Sequence, residues 1–146
     1  MKRKTLIIAI AVLIVAAAVL AVVVSQNTPK KDRCEVIISY KGEQTKTDLN
    51  SLKLVQVKGT ITMASGKTKD IDSKGIEIKD LLAGKEYTEV AVNAEDNYSA
   101  VLVKEDIEKA GNAYIILGEE NKPRLVVMSD TNAKRDVKNV LTIELK

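Results

Sequence analysis

Glu89-Val90-Ala91-Val92-Asn93-Ala94-Glu95-Asp96-Asn97-Tyr98-Ser99-Ala100-Val101-Leu102-Val103 is the stretch that decides the fold. Successive side chains of a strand point to opposite faces, so Val90, Val92 and Ala94 line one side of the first half. Asp96 and Asn97 supply turn chemistry, and Tyr98 to Val103 returns as a second β-rich run. The segment therefore predicts a β-hairpin, and the chain on either side is read from it.

Downstream, Lys104 to Ala110 predicts a short helix, supported by Glu105 and Lys109 at i,i+4 and closed by Gly111. Ala113 to Leu117 and Arg124 to Met128 read as strands around the turn Gly118 to Pro123. After a loop from Ser129 to Asp136, a final strand carries Val137, Val140, Leu141, Ile143 and Leu145. Upstream, Ile76 and Ile78 alternate with Glu77 and Lys79, and Asp80 to Ala83 makes a helical turn that Gly84 stops in a left-handed cap. Ala64 to Lys74 reads as a polar loop. Leu52, Leu54, Val55 and Val57 lead through Gly59 into a strand ending near Met63. Glu43 to Ser51 reads as loop or a turn capped around Thr47 or Asp48, and Val36 to Tyr40 as the first strand. The sum is about eight strands with two short helices, an α+β, mostly β domain of mainly antiparallel sheet.

Five segments in order resemble the oxidoreductase molybdopterin-binding domain, the sulfite oxidase-like fold. They are Gly75-Ile76-Glu77-Ile78-Lys79-Asp80-Leu81-Leu82, Val90 to Tyr98 ending in Asp96-Asn97-Tyr98, Ala113-Tyr114-Ile115-Ile116-Leu117, Pro123-Arg124-Leu125-Val126-Val127, and Val137-Lys138-Asn139-Val140 with Ile143. The likeness covers roughly Leu54 to Lys146 and rests on order and spacing, since each piece alone is an ordinary strand or turn. It implies a pocket in which a cysteine thiolate binds molybdenum, a histidine or arginine steadies the pterin phosphate, and a basic residue lies near the start of the last strand.

The chain departs from that pattern where the metal would sit. The loop after the strand Val57 to Met63 reads Ala64-Ser65-Gly66-Lys67, without sulfur, and neither a serine hydroxyl nor the Met63 thioether replaces a soft anionic thiolate well. Cys34 is the only other sulfur nucleophile, about thirty residues too early. The expectation is a lost metal site and no cofactor, with molybdopterin as the alternative. What the resemblance leaves of a pocket is Lys134, Arg135 and Lys138, flanked by Tyr98 and Tyr114, as candidates for an anionic or planar ligand. The plainer reading is solvated loop and edge charges beside half-buried tyrosines.

The N-terminus carries a separate signal. Lys2, Arg3 and Lys4 precede an uncharged apolar run of 19 residues, Leu6 to Val24. At about 1.5 Å per residue it spans roughly 28 Å, close to a hydrocarbon core of about 30 Å. It exceeds the apolar stretch of a cleavable signal and ends in a mediocre Val23-x-Ser25 site, so retention is favoured over cleavage. The expected organisation is a membrane anchor over residues 1–25, contacting the bilayer through residues 5–24, a polar stalk over 26–33, and a folded body over 34–146. Cations stay on the cytoplasmic side, which places the body outside the cytoplasm. Lipidation of Cys34 lacks its small-residue box, since Lys31, Asp32 and Arg33 precede it.

Composition excludes more than it grants. Of 23 Lys and Arg, three precede the apolar run, leaving 20 against 20 Asp and Glu, so the rest of the chain is formally neutral. No one-signed field with aromatic readers remains for nucleic acid. With no histidine, Ser-His-Asp and Cys-His relays and histidine-bound zinc or haem are excluded within the chain. Phosphate loops and fixed-period repeats are absent from the sequence. Asp70 with Asp72 and Glu119 with Glu120 read as solvated neighbours, and Asp96-Asn97 as a turn before a cation site. Asn97-Tyr98-Ser99 fits a glycosylation sequon inside the tight hairpin. One cysteine forbids an internal disulfide, and Cys34 reads as a structural thiol ahead of an intermolecular disulfide or a metal ligand. The functional expectation is an anchored extracytoplasmic binding or interaction module for a small ligand or an envelope protein. The alternative is a molybdopterin-dependent oxidoreductase or electron-transfer subunit whose site Cys34 or a partner completes.

Overall fold

The computed structural model describes residues 33–146. The expected anchor and most of the stalk lie outside the described residues, and among those described no helix is long and apolar enough to cross a membrane.

The body is mostly β, as the hairpin signal implied. Ten strands occur among the described residues: β1 (Glu35–Tyr40), β2 (Glu43–Asp48), β3 (Val55–Thr62), β4 (Thr68–Glu77), β5 (Glu89–Ala94), β6 (Ser99–Val103), β7 (Ala113–Leu117), β8 (Pro123–Val127), β9 (Val137–Lys138) and β10 (Val140–Leu145). Two short helices, α1 (Ile78–Leu81) and α2 (Lys104–Glu108), follow β4 and β6. The strands form two five-stranded sheets, ordered β2-β1-β10-β5-β6 and β3-β4-β7-β8-β9. All pairings are antiparallel except β1 with β10, which run parallel with Ile38 opposite Ile143.

The alternation in the sequence becomes the core. Val36 and Ile38 of β1, Val90 and Val92 of β5, Leu102 of β6 and Ile143 of β10 meet Ile115, Leu125, Val127 and Val137 of the second sheet. Ile78 of α1, Leu82 just beyond it and Ile107 of α2 join the same cluster. A smaller cluster of Val57, Ile61, Ile71, Ile116 and Val126, with Met63, Tyr114 and Met128 against it, lies on the second sheet's other face. β8 is buried along its whole length because it serves both clusters.

The predicted hairpin forms as read, with Val92 opposite Ala100 and Ala91 opposite Val101. Four expectations are corrected. Glu43 to Asp48 is a strand, its mostly exposed residues having no apolar face to betray an edge strand. Asp48 then caps a 3₁₀ turn (Leu49–Ser51), accepting from the Asn50 amide at 3.0 Å. Thr68 to Lys74 is likewise strand, part of the ten-residue β4, although it offers only Ile71 as a buried apolar residue. The expected single last strand is split at Asn139, whose φ of 54° turns the chain from the second sheet into the first. The ion pair along α2 is Lys104 with Glu108 at 3.6 Å, not Glu105 with Lys109. Lys109 lies just past the helix end, where its amide donates to the Glu105 carbonyl at 3.2 Å.

Gly75 explains how β4 serves two partners. It sits opposite Val55 on one side and Ile116 on the other. A Cβ there would meet the Ile115 carbonyl oxygen at 2.6 Å and Ile116 Cγ2 at 2.8 Å, so only glycine allows this close approach.

Candidate functional site

The five residues suggested by the resemblance are only partly brought together. Tyr98, at the start of β6, donates its hydroxyl to the Lys134 carbonyl at 2.5 Å. That contact ties the β5–β6 turn to the loop preceding β9. Lys134 is exposed, and its amide donates to Asn132 Oδ1 at 3.2 Å.

Arg135 is already engaged. Its Nε donates to Asp130 Oδ1 at 2.8 Å, Nη2 reaches the same carboxylate at 2.5 Å, and Nη1 pairs with Asp106 of α2. These charge-assisted bonds hold its pKa above the ordinary arginine value, Asp130 contributing most. The guanidinium therefore closes the loop from Ser129 to Asp136 onto α2. Asn112 works in the same clasp: buried, it donates to the Asp106 carbonyl at 2.9 Å and accepts from the Ser129 amide at 3.0 Å.

Arg124, read as a strand residue, is the buried cation of the body. It forms a two-pronged pair with Asp136, Nε to Oδ1 at 2.8 Å and Nη2 to Oδ2, with both side chains 8% exposed. The hydrogen bonds that Arg124 donates to Asp136 raise its pKa against the opposing cost of burial. Sequence reasoning missed this pair because its members lie twelve positions apart and only the β8–β9 ladder joins them. Lys138 stands opposite Arg124 in that ladder and lines a cavity of about 200 Å³ with Glu119, Glu120, Lys122 and Asn139. The acidic and basic groups there offset one another.

Tyr114 is held elsewhere. It projects from β7 into the smaller apolar cluster with Met63 and Met128, and burial with the nearby Glu77 carboxylate pushes its pKa up. It therefore does not flank the Tyr98–Lys134 contact.

Cys34 is sealed. The thiol has 0% exposure at the start of β1, packed in the main core, and the Leu49 amide donates to its carbonyl at 2.8 Å. Burial, helped by Asp48, raises its pKa to about 11, so it is a neutral thiol near neutral pH. A thiolate ligand needs the opposite environment. The loop where the resemblance implies a sulfur ligand is the tight β3–β4 turn, closed by the Met63 amide on the Lys67 carbonyl at 2.8 Å, with Ala64 to Lys67 exposed. The residues present do not fit a thiolate-bound molybdenum. Among the described residues no group of three or more cysteine and carboxylate side chains comes together.

The sequence did not single out the groove that chemistry favours most. Ile38, Leu52, Ile76 and Leu81 give an apolar lining to a cavity of about 230 Å³, where β1 and β2 meet the passage from β4 into α1. Tyr40, Glu43, Asp80 and Lys85 lie on its margin with Thr45 and Thr47. Tyr40 is fixed by the Glu86 amide, which donates to its hydroxyl at 3.2 Å and lowers its pKa. A hollow of about 290 Å³ on Ile37, Pro123 and Leu141 is ringed instead by Arg33, Glu35, Lys46, Glu95 and Lys122, charges that largely cancel. Apolar walls with a few oriented polar groups are the usual make-up of a small-ligand site, and the Tyr40 groove, with its tyrosine held by the Glu86 amide, has them. No protein-family model matches the sequence, and no curated protein is significantly similar to it.

Proposed function

We propose that this chain is a membrane-anchored, extracytoplasmic binding module built on a sulfite oxidase-like scaffold that has no metal site. The observation that carries the reading is the burial of the one cysteine, which leaves no accessible thiol to serve as a thiolate ligand. The ordered series of segments from Gly75 to Ile143 supports the scaffold. Lys2, Arg3, Lys4 and the apolar run to Val24 support the anchor and its orientation. The Tyr40 groove supports a small ligand with an apolar part, met by Ile76 and Leu81 and oriented by Asp80, Lys85 and the tyrosine.

The test uses the full chain with a C-terminal tag. Alkaline carbonate should leave it in the membrane fraction, and protease added outside intact spheroplasts should remove the tag. Native mass spectrometry of the detergent-extracted protein should show a bound small molecule that Leu81→Arg displaces. A chain released by carbonate, or a tag protected until the membrane is opened, contradicts the anchoring. Identical spectra for both proteins contradict the groove.

A further inference from the structure

The four sheet edges are not alike. β2 carries Glu43, Lys46 and Asp48, β3 carries Lys58, and β9 is two residues long. Charge and shortness are the usual means by which edges avoid pairing with other chains. β6 reads Ser99-Ala100-Val101-Leu102-Val103 and has neither. Of the five large hydrophobic residues left exposed among the described residues, Tyr98 (47%), Val101 (47%) and Val103 (45%) lie on this strand or immediately before it.

The backbone phase is fixed by two bonds. The Ala94 amide donates to the Tyr98 carbonyl at 2.8 Å, and the Lys104 amide donates to the Thr88 carbonyl at 3.0 Å. Antiparallel ladders alternate, so the even-numbered residues of β6 direct their N–H and C=O groups to β5. Ser99 and Val101 direct both groups away from the sheet, where no strand lies beside them, and Val103 so directs its amide, while the Val103 carbonyl belongs to the N-cap of α2. The same three residues are exposed in side chain.

We propose that β6 pairs antiparallel with β6 of a second copy, about a twofold axis at Val101, joining the first sheets of two molecules. The strand is complementary to itself. In this register Val101 meets Val101 and exchanges two backbone bonds with it, and the Ser99 carbonyl accepts from the Val103 amide of the other copy. No charge faces a like charge within the strand. At its ends Tyr98 stands opposite Lys104, an aromatic face beside a cation. The same operation on β2, centred on its middle outward-directed residue, would set Lys46 against Lys46, which is why the uncharged edge is the one that self-associates.

Sedimentation equilibrium of the full chain in a non-associating detergent tests this. Wild type should show a monomer–dimer equilibrium. Val101→Lys puts two ammonium groups on the axis and should raise the dimer dissociation constant on the order of 100-fold or more, since like charges in contact cost several kcal/mol. Its melting temperature should stay near wild type, because the side chain is already half exposed. Mixing Val101→Lys with Val101→Asp should restore a dimer containing one of each. As a second readout that keeps a small side chain, Val101→Cys should cross-link to itself with a short bis-maleimide, whereas Leu141→Cys, equally exposed on β10, should not. A monomeric wild type at high concentration, a Val101→Lys protein that dimerises as wild type does, or equal cross-linking at both positions overturns the proposal.

Discussion

Two hairpins of this molecule are built on opposite terms. In β5–β6 the inward residues Val90, Val92, Ala100 and Leu102 are buried in the main core, and the sequence announces them by strict alternation. In β3–β4 the eight-residue ladder from Val55–Gly75 to Thr62–Thr68 buries only Val57, Ile61 and Ile71 in the smaller cluster. Its register is decorated instead by cross-strand polar contacts: Thr60 Oγ1 to Asp70 at 2.9 Å, Gln56 to Asp72, and Lys58 to Asp72 at 3.9 Å. Burial stabilises the first hairpin, whereas length, one glycine and a thin apolar strip hold the second in place.

That contrast is open to breakage, beginning at the larger side. Leu102→Ala removes a fully buried side chain from the main core and should cost about 2–5 kcal/mol in chemical denaturation. Gly75→Ala drives a methyl group into β7 and should cost about 1–3 kcal/mol, with the loss concentrated in the β4–β7 junction. A result near zero at Gly75 would mean that β4 is not held against β7 as described. Ile71→Val trims the smaller cluster and should cost about 0.5–1.5 kcal/mol. Asp70→Asn keeps a hydrogen-bond acceptor for Thr60 in an exposed contact, so a change of under about 1 kcal/mol is expected. Amide exchange should follow the same order, with the β3–β4 ladder opening before the bonds between β5 and β6.

Cys34 extends the comparison to the main core through pH. Its folded pKa lies near 11 against an ordinary value of 9.0, so the folded state retains the proton over a range where the unfolded state releases it. The stabilisation is fully present below about 9 and is lost as pH rises through about 11. Melting temperatures of wild type should therefore fall more steeply across that window than those of Cys34→Ala, and equal slopes would place the thiol in water.

How much was legible in the sequence follows from where the apolar side chains are. The β5–β6 hairpin, β7, β8 and the turn before Gly84 were readable because burial on one or both faces left alternating or continuous apolar runs. β2 and the first part of β4 were not, since Glu43 to Asp48 and Thr68 to Lys74 look like solvated loop. They become strands only when β1 and β3 offer them partners, and local pattern carries no trace of that. The division of the last strand at Asn139 was hidden for a related reason, because Val137 and Val140 enter one core from two sheets.

The candidate site was less legible than the fold. Arg135 and Lys138 were singled out as cations, but charge in a sequence does not say whether a carboxylate answers it. Asp106, Asp130 and Asp136 do so for Arg135 and Arg124 only after the loop folds back on α2 and β8. Tyr40 drew no attention because its groove is assembled from residues as distant as Ile38 and Leu81.

The molybdenum content of the full chain, purified from its own host and measured by plasma mass spectrometry, bears most directly on the reading that the lone thiol is a core residue and the body a binding module. The account predicts far less than one metal atom per chain, unchanged by Cys34→Ala. One molybdenum per chain, lost on that substitution, would contradict it.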